Sequence, residues 1–97
     1  KLVNKEDIMK ELAKVIDPEI GIPITEMKLV DNVEINNDEV TIEYHLTMPF
    51  CPPVFALAIG HDIKRQVSAI NGITKVTAIL SGHQMAEDIN KKVNSSG

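Results

Sequence analysis

The spacing of the apolar residues changes abruptly between residues 47 and 53, and this change constrains the fold more than any other feature of the sequence. Before it, apolar and polar side chains alternate over residues 40–47, which predicts a β-strand with one buried face. After it, apolar residues recur at helical spacing from Pro53 to about Ile70. Because a strand followed by a helix usually returns to a parallel strand through a right-handed crossover, we expect helices packed on a sheet.

The segment before this strand predicts a helix and a second strand. The helix is indicated by one apolar face, is capped by Asn4, and ends at Asp17-Pro18, because a residue before proline leaves the α region. The strand covers residues 29–35, and the turn at residues 36–39 joins it to the next strand as a hairpin. The apolar face of the helix consists of Ile8, Leu12, Val15 and Ile16.

The segment after the second helix predicts one more strand and one more helix. Asn71-Gly72 ends the second helix, and residues 73–80 form an apolar, β-branched strand. Residues 81–84 resemble a capping box before a last helix at about 83–93, followed by a tail at 94–97. We therefore predict a single α+β domain over residues 1–97, with the order α-β-β-α-β-α, a small mixed sheet and a core region at about 5–80.

Charge and composition exclude several classes of protein. The formal net charge is −4 and the basic residues are scattered, so neither nucleic acid nor an anionic membrane is an expected partner. The start of the chain lacks the apolar core of a signal peptide, and no apolar run is long enough to span a membrane. A single cysteine cannot form an internal disulfide, which suits a reducing compartment, and we expect a cytoplasmic protein.

The only cysteine, Cys51, lies in the proline-rich stretch TMPFCPP. We predict that Cys51 is the N-cap of the second helix, with Pro52 at the first helical position and Phe50 packed on Phe55 as a hydrophobic staple. A thiolate there is stabilised by the helix dipole, which lowers its pKa and makes it reactive or able to bind metal. The alternative is a small buried hydrophobe, the common role of a lone cysteine.

Two further residues are candidates for the same site. The hydroxyl of Thr47, four residues before Cys51, is positioned to bond the loop or the sulfur, although Thr47 could equally be an ordinary strand end. Asp17 would place a carboxylate just past a helix C-terminus, where it is electrostatically unfavourable and therefore suggests a function. An ordinary Asp-Pro turn explains Asp17 equally well.

Four segments of the chain, taken in order, resemble the SufT and PaaD-like iron–sulfur cluster assembly domain family, also called metal-sulfur cluster biosynthesis proteins. The match covers about residues 5–80. Before the first strand, Met27-Lys28 stands where the family often has Leu-Gly, which affects the local turn rather than the site. The segments are DPEIGI at residues 17–22, Leu29-Val30, LTMPFCP at residues 46–52 and NGITKV at residues 71–76.

The resemblance implies an iron–sulfur assembly domain-like fold and a role in maturing or delivering iron–sulfur clusters. In that family the cysteine of a Thr-x-x-x-Cys-Pro motif is the reactive residue; it corresponds to Cys51, and the motif threonine to Thr47. The family's Asp-Pro-Glu motif corresponds to Asp17 and Glu19. The implied partners are an iron–sulfur scaffold or a P-loop carrier ATPase, together with apo-target proteins.

The number of thiols limits what the chain can do with a cluster. A cluster needs about four protein ligands, usually thiolates, whereas this chain has one cysteine and a homodimer would supply two. We therefore expect a transient carrier or an adaptor, with no tightly bound cofactor and Cys51 as a transient metal ligand. The three histidines match no metal motif, and each is expected to be a surface or packing residue. They are His45, His61 and His83.

No motif of a hydrolase, P-loop enzyme or zinc protease occurs in the sequence, so a non-enzymatic factor is expected. Two alternatives stay open. One is a thiol-dependent redox enzyme or sensor that uses Cys51 as its nucleophile. The other is an accessory factor for the assembly of a multicomponent oxygenase, the role of PaaD-like family members.

Overall fold

The computed structural model describes residues 3–47 and 52–95, and its elements follow the predicted order. The predicted α+β class with a small mixed sheet is confirmed. The strand and helix ends differ from the predicted ends by at most four residues. The elements are α1 (Lys5–Leu12), β1 (Val30–Asn36), β2 (Glu39–His45), α2 (Pro53–Ser68), β3 (Lys75–Ser81) and α3 (Ala86–Ser95).

The sheet has the order β1-β2-β3, with an antiparallel hairpin between β1 and β2 and a parallel pair between β2 and β3. The hairpin is tight, because Asn36 pairs with Glu39 and Asn37 takes a left-handed conformation with φ 59°. Asparagine tolerates this conformation better than most residues do, as the sequence predicts. The parallel pair requires the crossover through α2, which fixes α2 against the sheet.

One face of the sheet carries the core, and the helices pack on that face. Apolar residues of β2 and β3 on this face are buried together with residues from all three helices. On the opposite face, the alternate residues of β2 and β3 are exposed or half-buried, so the domain has two layers. The buried strand residues are Val40, Ile42, Tyr44, Val76, Ala78 and Leu80.

Helix α1 ends earlier than predicted. The Asn4 side chain caps it as expected, accepting a 2.9 Å hydrogen bond from the Asp7 N–H. However, the helix stops at Leu12, and Ile16 pairs with Pro23 in a short bridge instead of joining the buried helix face. The Val15 carbonyl accepts from the Ile24 N–H at 2.9 Å. This pairing of residues 15–17 with residues 22–24 replaces the last predicted turn of helix.

The last helix begins differently from the predicted capping box. His83, rather than Ser81, organises the turn: its carbonyl accepts from the Ala86 N–H at 3.1 Å and its Nδ1 accepts from the Met85 N–H at 3.0 Å. The His83 ring is buried, and its contact with Met85 fixes the turn into the last helix. Helix α3 extends to Ser95, so residues 94 and 95 belong to it and not to a tail.

Helix α3 also closes the outer edge of β3. The Asn94 side chain accepts from the Ala78 N–H at 3.0 Å and donates to the Ala78 carbonyl at 2.9 Å. One helical turn earlier, Asn90 makes the same pair of bonds with Leu80, at 2.8 and 3.0 Å. Two asparagines spaced four residues apart therefore satisfy the groups that an edge strand would otherwise leave unpaired.

The most crowded contact of the core brings Tyr44 of β2, Gly60 of α2 and Val93 of α3 together. A Cβ atom on Gly60 would lie 2.8 Å from Val93 Cγ2 and 2.9 Å from the Tyr44 hydroxyl oxygen, so only glycine fits there. The Tyr44 hydroxyl is fully buried and makes no hydrogen bond with any described residue. Burial raises the pKa of Tyr44 far above its ordinary value.

Candidate functional site

The start of α2 lies one residue later than the sequence predicts. Pro52, not Cys51, is the N-cap: it has an extended backbone with ψ 137°, and its carbonyl accepts from the N–H groups of Phe55 and Ala56 at 3.0 and 3.4 Å. The predicted cap at Cys51 is therefore wrong, and Pro53, rather than Pro52, occupies the first helical position. A proline cap explains the shift, since its fixed φ and its freedom in ψ suit the last extended residue.

The shifted cap changes the helical position of Phe55, one of the two residues of the predicted staple. Phe55 becomes the third residue of the helix and packs, half-buried, against the core. Phe50 and Cys51 lie outside the described residues, so the staple and the reactivity of Cys51 stay predictions. The cap position places Cys51 immediately before the N-cap in the sequence.

Asp17 is a buried carboxylate at the head of the 16–22 loop, the segment from Ile16 to Ile22. Its side chain is 4% exposed, and Oδ1 accepts from the Glu19 N–H at 2.9 Å. Its own N–H donates to the Ile22 carbonyl at 3.0 Å, while its carbonyl accepts from the Gly21 N–H at 2.7 Å. Asp17 therefore shapes this loop from inside.

The prediction that Asp17 lies just past a helix C-terminus is wrong, because α1 ends at Leu12 and leaves no helix terminus beside the carboxylate. A side-chain oxygen that accepts from the N–H two residues later is an Asx turn, the alternative that was left open for Asp17. Gly21, with φ 81°, completes the loop, because its left-handed conformation favours glycine.

Glu19 and Thr47, the other two candidates, are both exposed. Thr47 follows Leu46 at a bend after β2. Its hydroxyl makes no hydrogen bond with any residue that the structure describes. The Glu19 main chain is tied to Asp17 through its N–H, while its side chain lies at the surface. Among these candidates the structure therefore brings Asp17 and Glu19 together in one loop.

A cleft of about 390 Å³ lies between the 16–22 loop and the exposed face of α2. Its apolar part is formed by Ile16, Pro18 and Ala58, and its polar part by His61 with the Asp62–Arg65 ion pair. Val54 lies one helical turn before Ala58 and is 65% exposed. The side of the domain that carries the Asp-Pro-Glu loop therefore presents apolar surface to solvent.

The described residues form no group of three or more histidine, cysteine, aspartate or glutamate side chains that could hold a metal ion. His61 lines the cleft, and His45 lies on the open face of the sheet, where its Nδ1 contacts the Asp31 carboxylate at 2.9 Å. The histidines are thus dispersed over the domain.

The family model of iron–sulfur cluster assembly proteins matches residues 5–79 of the chain. The chain belongs to this family. The resemblance stated from the sequence is therefore confirmed, and with it the assignment to iron–sulfur cluster assembly. An iron–sulfur protein maturation auxiliary factor of Porphyromonas gingivalis is 36% identical over 81 residues, which cover 82% of this chain and 75% of that protein.

Two further similarities cover nearly the whole chain. An uncharacterized protein of Methanocaldococcus jannaschii is 38% identical over 93% of this chain and 94% of its own length. The crystal structure of a domain of unknown function from Bacillus anthracis has a TM-score of 0.74, with 23% identity, and covers 95% of this chain and 89% of that one. This last match supports the fold.

Two features of the domain were not predicted from the sequence. The paired asparagines at 90 and 94 carry a usable signal, because two poor helix formers four residues apart on one helix indicate a shared partner. The contact between Gly60 and Tyr44 carries a weaker signal, since a glycine within a helix is destabilising unless close packing requires it.

No helix in the described part of the chain is long and apolar enough to cross a membrane.

Proposed function

We propose that the chain is a non-enzymatic accessory factor that passes iron–sulfur clusters to other proteins, or docks their recipients, through Cys51. The observation that carries this proposal is the ligand count. The chain has one cysteine, and its described residues form no other cluster of metal-binding side chains. Since a stable cluster needs about four ligands, the cluster is cargo whose remaining ligands belong to a partner.

The position of Cys51 supports this role. It lies directly before the N-cap of α2, and the first residue of that helix is a proline that offers no N–H. The positive end of the helix dipole favours a negative charge nearby, and a thiolate is the form that binds iron. Asp17 acts in this proposal as a positioning residue, because its carboxylate is buried and already accepts from the Glu19 N–H.

The exposed apolar residues of the 16–22 loop support contact with another protein. Ile16, Ile20 and Ile22 of this loop are 43%, 50% and 40% exposed, respectively. Branched aliphatic side chains at the surface gain free energy when a partner covers them. We propose that this loop and the first turns of α2 form the surface that recipient proteins contact.

The partner supplying the cluster is proposed to be a scaffold or a P-loop carrier ATPase. An iron–sulfur cluster carrier protein of Mycobacterium leprae is 34% identical over 77% of this chain, and the matching region is 18% of that protein's length. In that carrier, a region like this one is covalently joined to a larger protein, which supports a carrier as partner. The proposed setting is the cytoplasm, since an unpaired thiol suits a reducing compartment.

Anaerobic reconstitution tests the proposal. The chain is incubated with ferrous iron and sulfide, and optical spectra are recorded before and after gel filtration. We expect weak cluster absorption that is lost on gel filtration, and none for Cys51→Ser. The matched control is Ser68→Ala, at an exposed position in the last turn of α2 that belongs to none of the candidate site residues. Identical spectra for the wild type and Cys51→Ser, or a cluster that survives filtration at full occupancy, contradict the proposal.

Peroxide titration of the thiol separates this role from the redox alternative. A transfer factor has no need of fast oxidation, so we expect the Cys51 thiol to react at a rate comparable to that of free cysteine at the same thiolate fraction. A rate several orders of magnitude faster, with a sulfenic acid as product, would favour the sensor instead.

A further inference from the structure

The outer edge of β1 is open within the described part of the chain. Every hydrogen bond that a described residue makes with the β1 main chain comes from its hairpin partner β2. A bulge between Val30 and Asn32 interrupts the register at one end and leaves residues 32–36 as the regular part of the edge. Neither lysine nor proline occurs in β1, although natural edge strands commonly use both to prevent pairing with other chains.

An incompletely covered apolar row runs along this edge on the helix side of the sheet. Val33 pairs with Ile42 and Ile35 pairs with Val40, so their side chains lie on the face that carries the core. Val33 is only half-buried, however, and Ile35 is 37% exposed. A small cavity of about 80 Å³ between α1 and β1, lined by Met9 and Val33 among others, continues this row.

The other face of the sheet is acidic next to the same edge. Glu34 of β1 and Glu43 of β2 lie on this open face, as does Glu39 at the start of β2. Asp31 lies there too, in contact with His45. The only lysine on the strands of this face is Lys75, which pairs in register with Glu39. The open face beside β1 therefore carries an excess of carboxylates.

We propose that β1 is a docking edge for an extended segment of a partner protein, in which basic residues alternate with apolar ones. The segment adds a fourth strand to the sheet through main-chain hydrogen bonds. Because side chains of a strand alternate between the two faces, its apolar residues extend the row of Val33 and Ile35, and its basic residues lie beside Glu34. This inference concerns a surface other than the Cys51 site.

A second copy of this chain fits the edge less well. Pairing two β1 strands places the acidic open faces of two sheets side by side, with Glu34 and Asp31 of each copy near those of the other. Like charges on adjacent strands are destabilising. Charge complementarity therefore favours a basic partner over a homodimer.

The test uses a fluorescein-labelled heptapeptide of alternating lysine and valine, added to the ¹⁵N-labelled full chain. We expect fluorescence anisotropy to report binding, and the amide resonances of residues 32–36 to shift more than those of β3. A peptide with the same residues in two blocks, four lysines followed by three valines, carries equal charge but cannot present its side chains alternately. We expect it to bind at least about fivefold more weakly, since it loses several cross-strand pairs.

N-methylation of the peptide identifies main-chain pairing. In an edge strand, only alternate N–H groups face the neighbouring strand. Two peptides methylated on the two alternate sets of nitrogens should therefore differ, one losing binding and the other retaining it. Equal loss or equal retention in both peptides overturns the docking edge and indicates simple charge attraction.

A charge reversal on the chain completes the test. Glu34→Lys should weaken binding of the alternating peptide by about fivefold, as expected for one cross-strand charge pair. Glu87→Lys, an equally acidic and exposed site on α3, is the matched control and should change binding less than twofold. Equal effects of the two variants overturn the proposal. A peptide-free dimer that Glu34→Lys stabilises would assign the edge to a second copy instead.

Discussion

At the β3 edge of the sheet, the side chains of Asn90 and Asn94 hydrogen-bond the main chain. At the β1 edge, by contrast, no described residue outside β2 hydrogen-bonds the main chain. The two edges belong to one three-stranded sheet of a 97-residue chain. One edge is closed by a helix that follows it in sequence, and the other is left accessible. A sheet this small can therefore present a single pairing surface while its other edge is protected from other chains.

The turns that flank the two outer strands also differ in which residues take a positive φ. Glycines with positive φ flank β3, at Gly72 and Gly82. The positive-φ residues that flank β1 are Lys28 and Asn37, both at φ 59°. Side chains other than glycine are less favourable in this conformation. Because asparagine tolerates this conformation, the strain at the open edge is concentrated at Lys28, whereas glycines avoid it at the closed edge.

The largest expected effect comes from removing the asparagine pair. Asn90→Ala with Asn94→Ala deletes the four bonds to Ala78 and Leu80. At about 1 kcal/mol each, less the gain in helix propensity, the free energy of unfolding should fall by about 3 kcal/mol, as measured in urea. We also expect concentration-dependent association, because a second edge has been opened.

The control for this prediction is Asn32→Ala on the open edge. Asn32 is exposed and donates only to the Glu43 carboxylate, at 3.4 Å, so its loss should change stability by less than about 0.5 kcal/mol. If the double variant lowered the free energy of unfolding no more than Asn32→Ala does, Asn90 and Asn94 would act as ordinary surface residues. The comparison between the two edges would then fail.

The second prediction tests the packing that holds α3 in place. Gly60→Ala introduces a Cβ that would lie 2.8 Å from Val93 and 2.9 Å from the Tyr44 hydroxyl. Overpacking costs about 1–3 kcal/mol, and the helix preference of alanine returns up to about 1 kcal/mol. We expect a net loss of about 1–2 kcal/mol in urea unfolding.

A double-mutant cycle with Val93→Ala shows whether that loss comes from the contact. Shortening Val93 makes room for the new Cβ, so the double variant should be more stable than the sum of the two single effects predicts. Simple additivity would mean that the close approach is relieved elsewhere, and that α3 is not held by this contact.

The third prediction concerns alkaline pH. Burial raises the pKa of Tyr44, so the unfolded chain ionises first, from about pH 10, while the folded chain keeps the neutral phenol. The contribution of the buried Tyr44 phenol to the free energy of unfolding is therefore fully present below pH 10. It is lost as pH rises beyond 10, by about 1.4 kcal/mol per pH unit. Urea unfolding of the wild type between pH 9 and 11 should show this slope.

Tyr44→Phe is the control for the alkaline slope. It should remove this part of the pH dependence and cost little at neutral pH, because the hydroxyl has no described partner to lose. Since the chain has one tyrosine, tyrosinate absorbance reports this residue alone. Ionisation near pH 10 without unfolding would show that the core between β2, α2 and α3 is open to water.

The fold was largely predictable because its signals are local. Alternation over β2, helical spacing over α2 and the turn at Asn37 each act over a few residues, and together with the crossover rule they define the sheet. The end of α1 was not predictable in this way. The pairing of Val15 with Ile24 competes with the last helical turn, and it depends on a loop that closes only in three dimensions.

The geometry around the candidate site residues was less predictable than the fold. The residue patterns and the resemblance point to Cys51, Asp17, Glu19 and Thr47 as candidates, yet the residue preferences alone placed the helix cap one residue early. Two adjacent prolines at 52 and 53 fit either position by residue preference alone. The structure decides between them through the Pro52 carbonyl, which accepts the first helical bonds. The burial of Asp17 likewise depends on packing that no local pattern describes.

The smallest expected effect, and the only stabilising one, concerns the entry to the open edge. Lys28 takes a left-handed conformation, with φ 59°, two residues before β1 begins. Lys28→Gly relieves that conformation but makes the unfolded chain more flexible, so the net gain should be at most about 1 kcal/mol in urea unfolding. Gly72→Ala, at φ 100° beside the closed edge, is the reverse change and should destabilise by at least as much. If Lys28→Gly lost stability instead, the lysine side chain would contribute more than its backbone costs, and the turn into the open edge would not be strained.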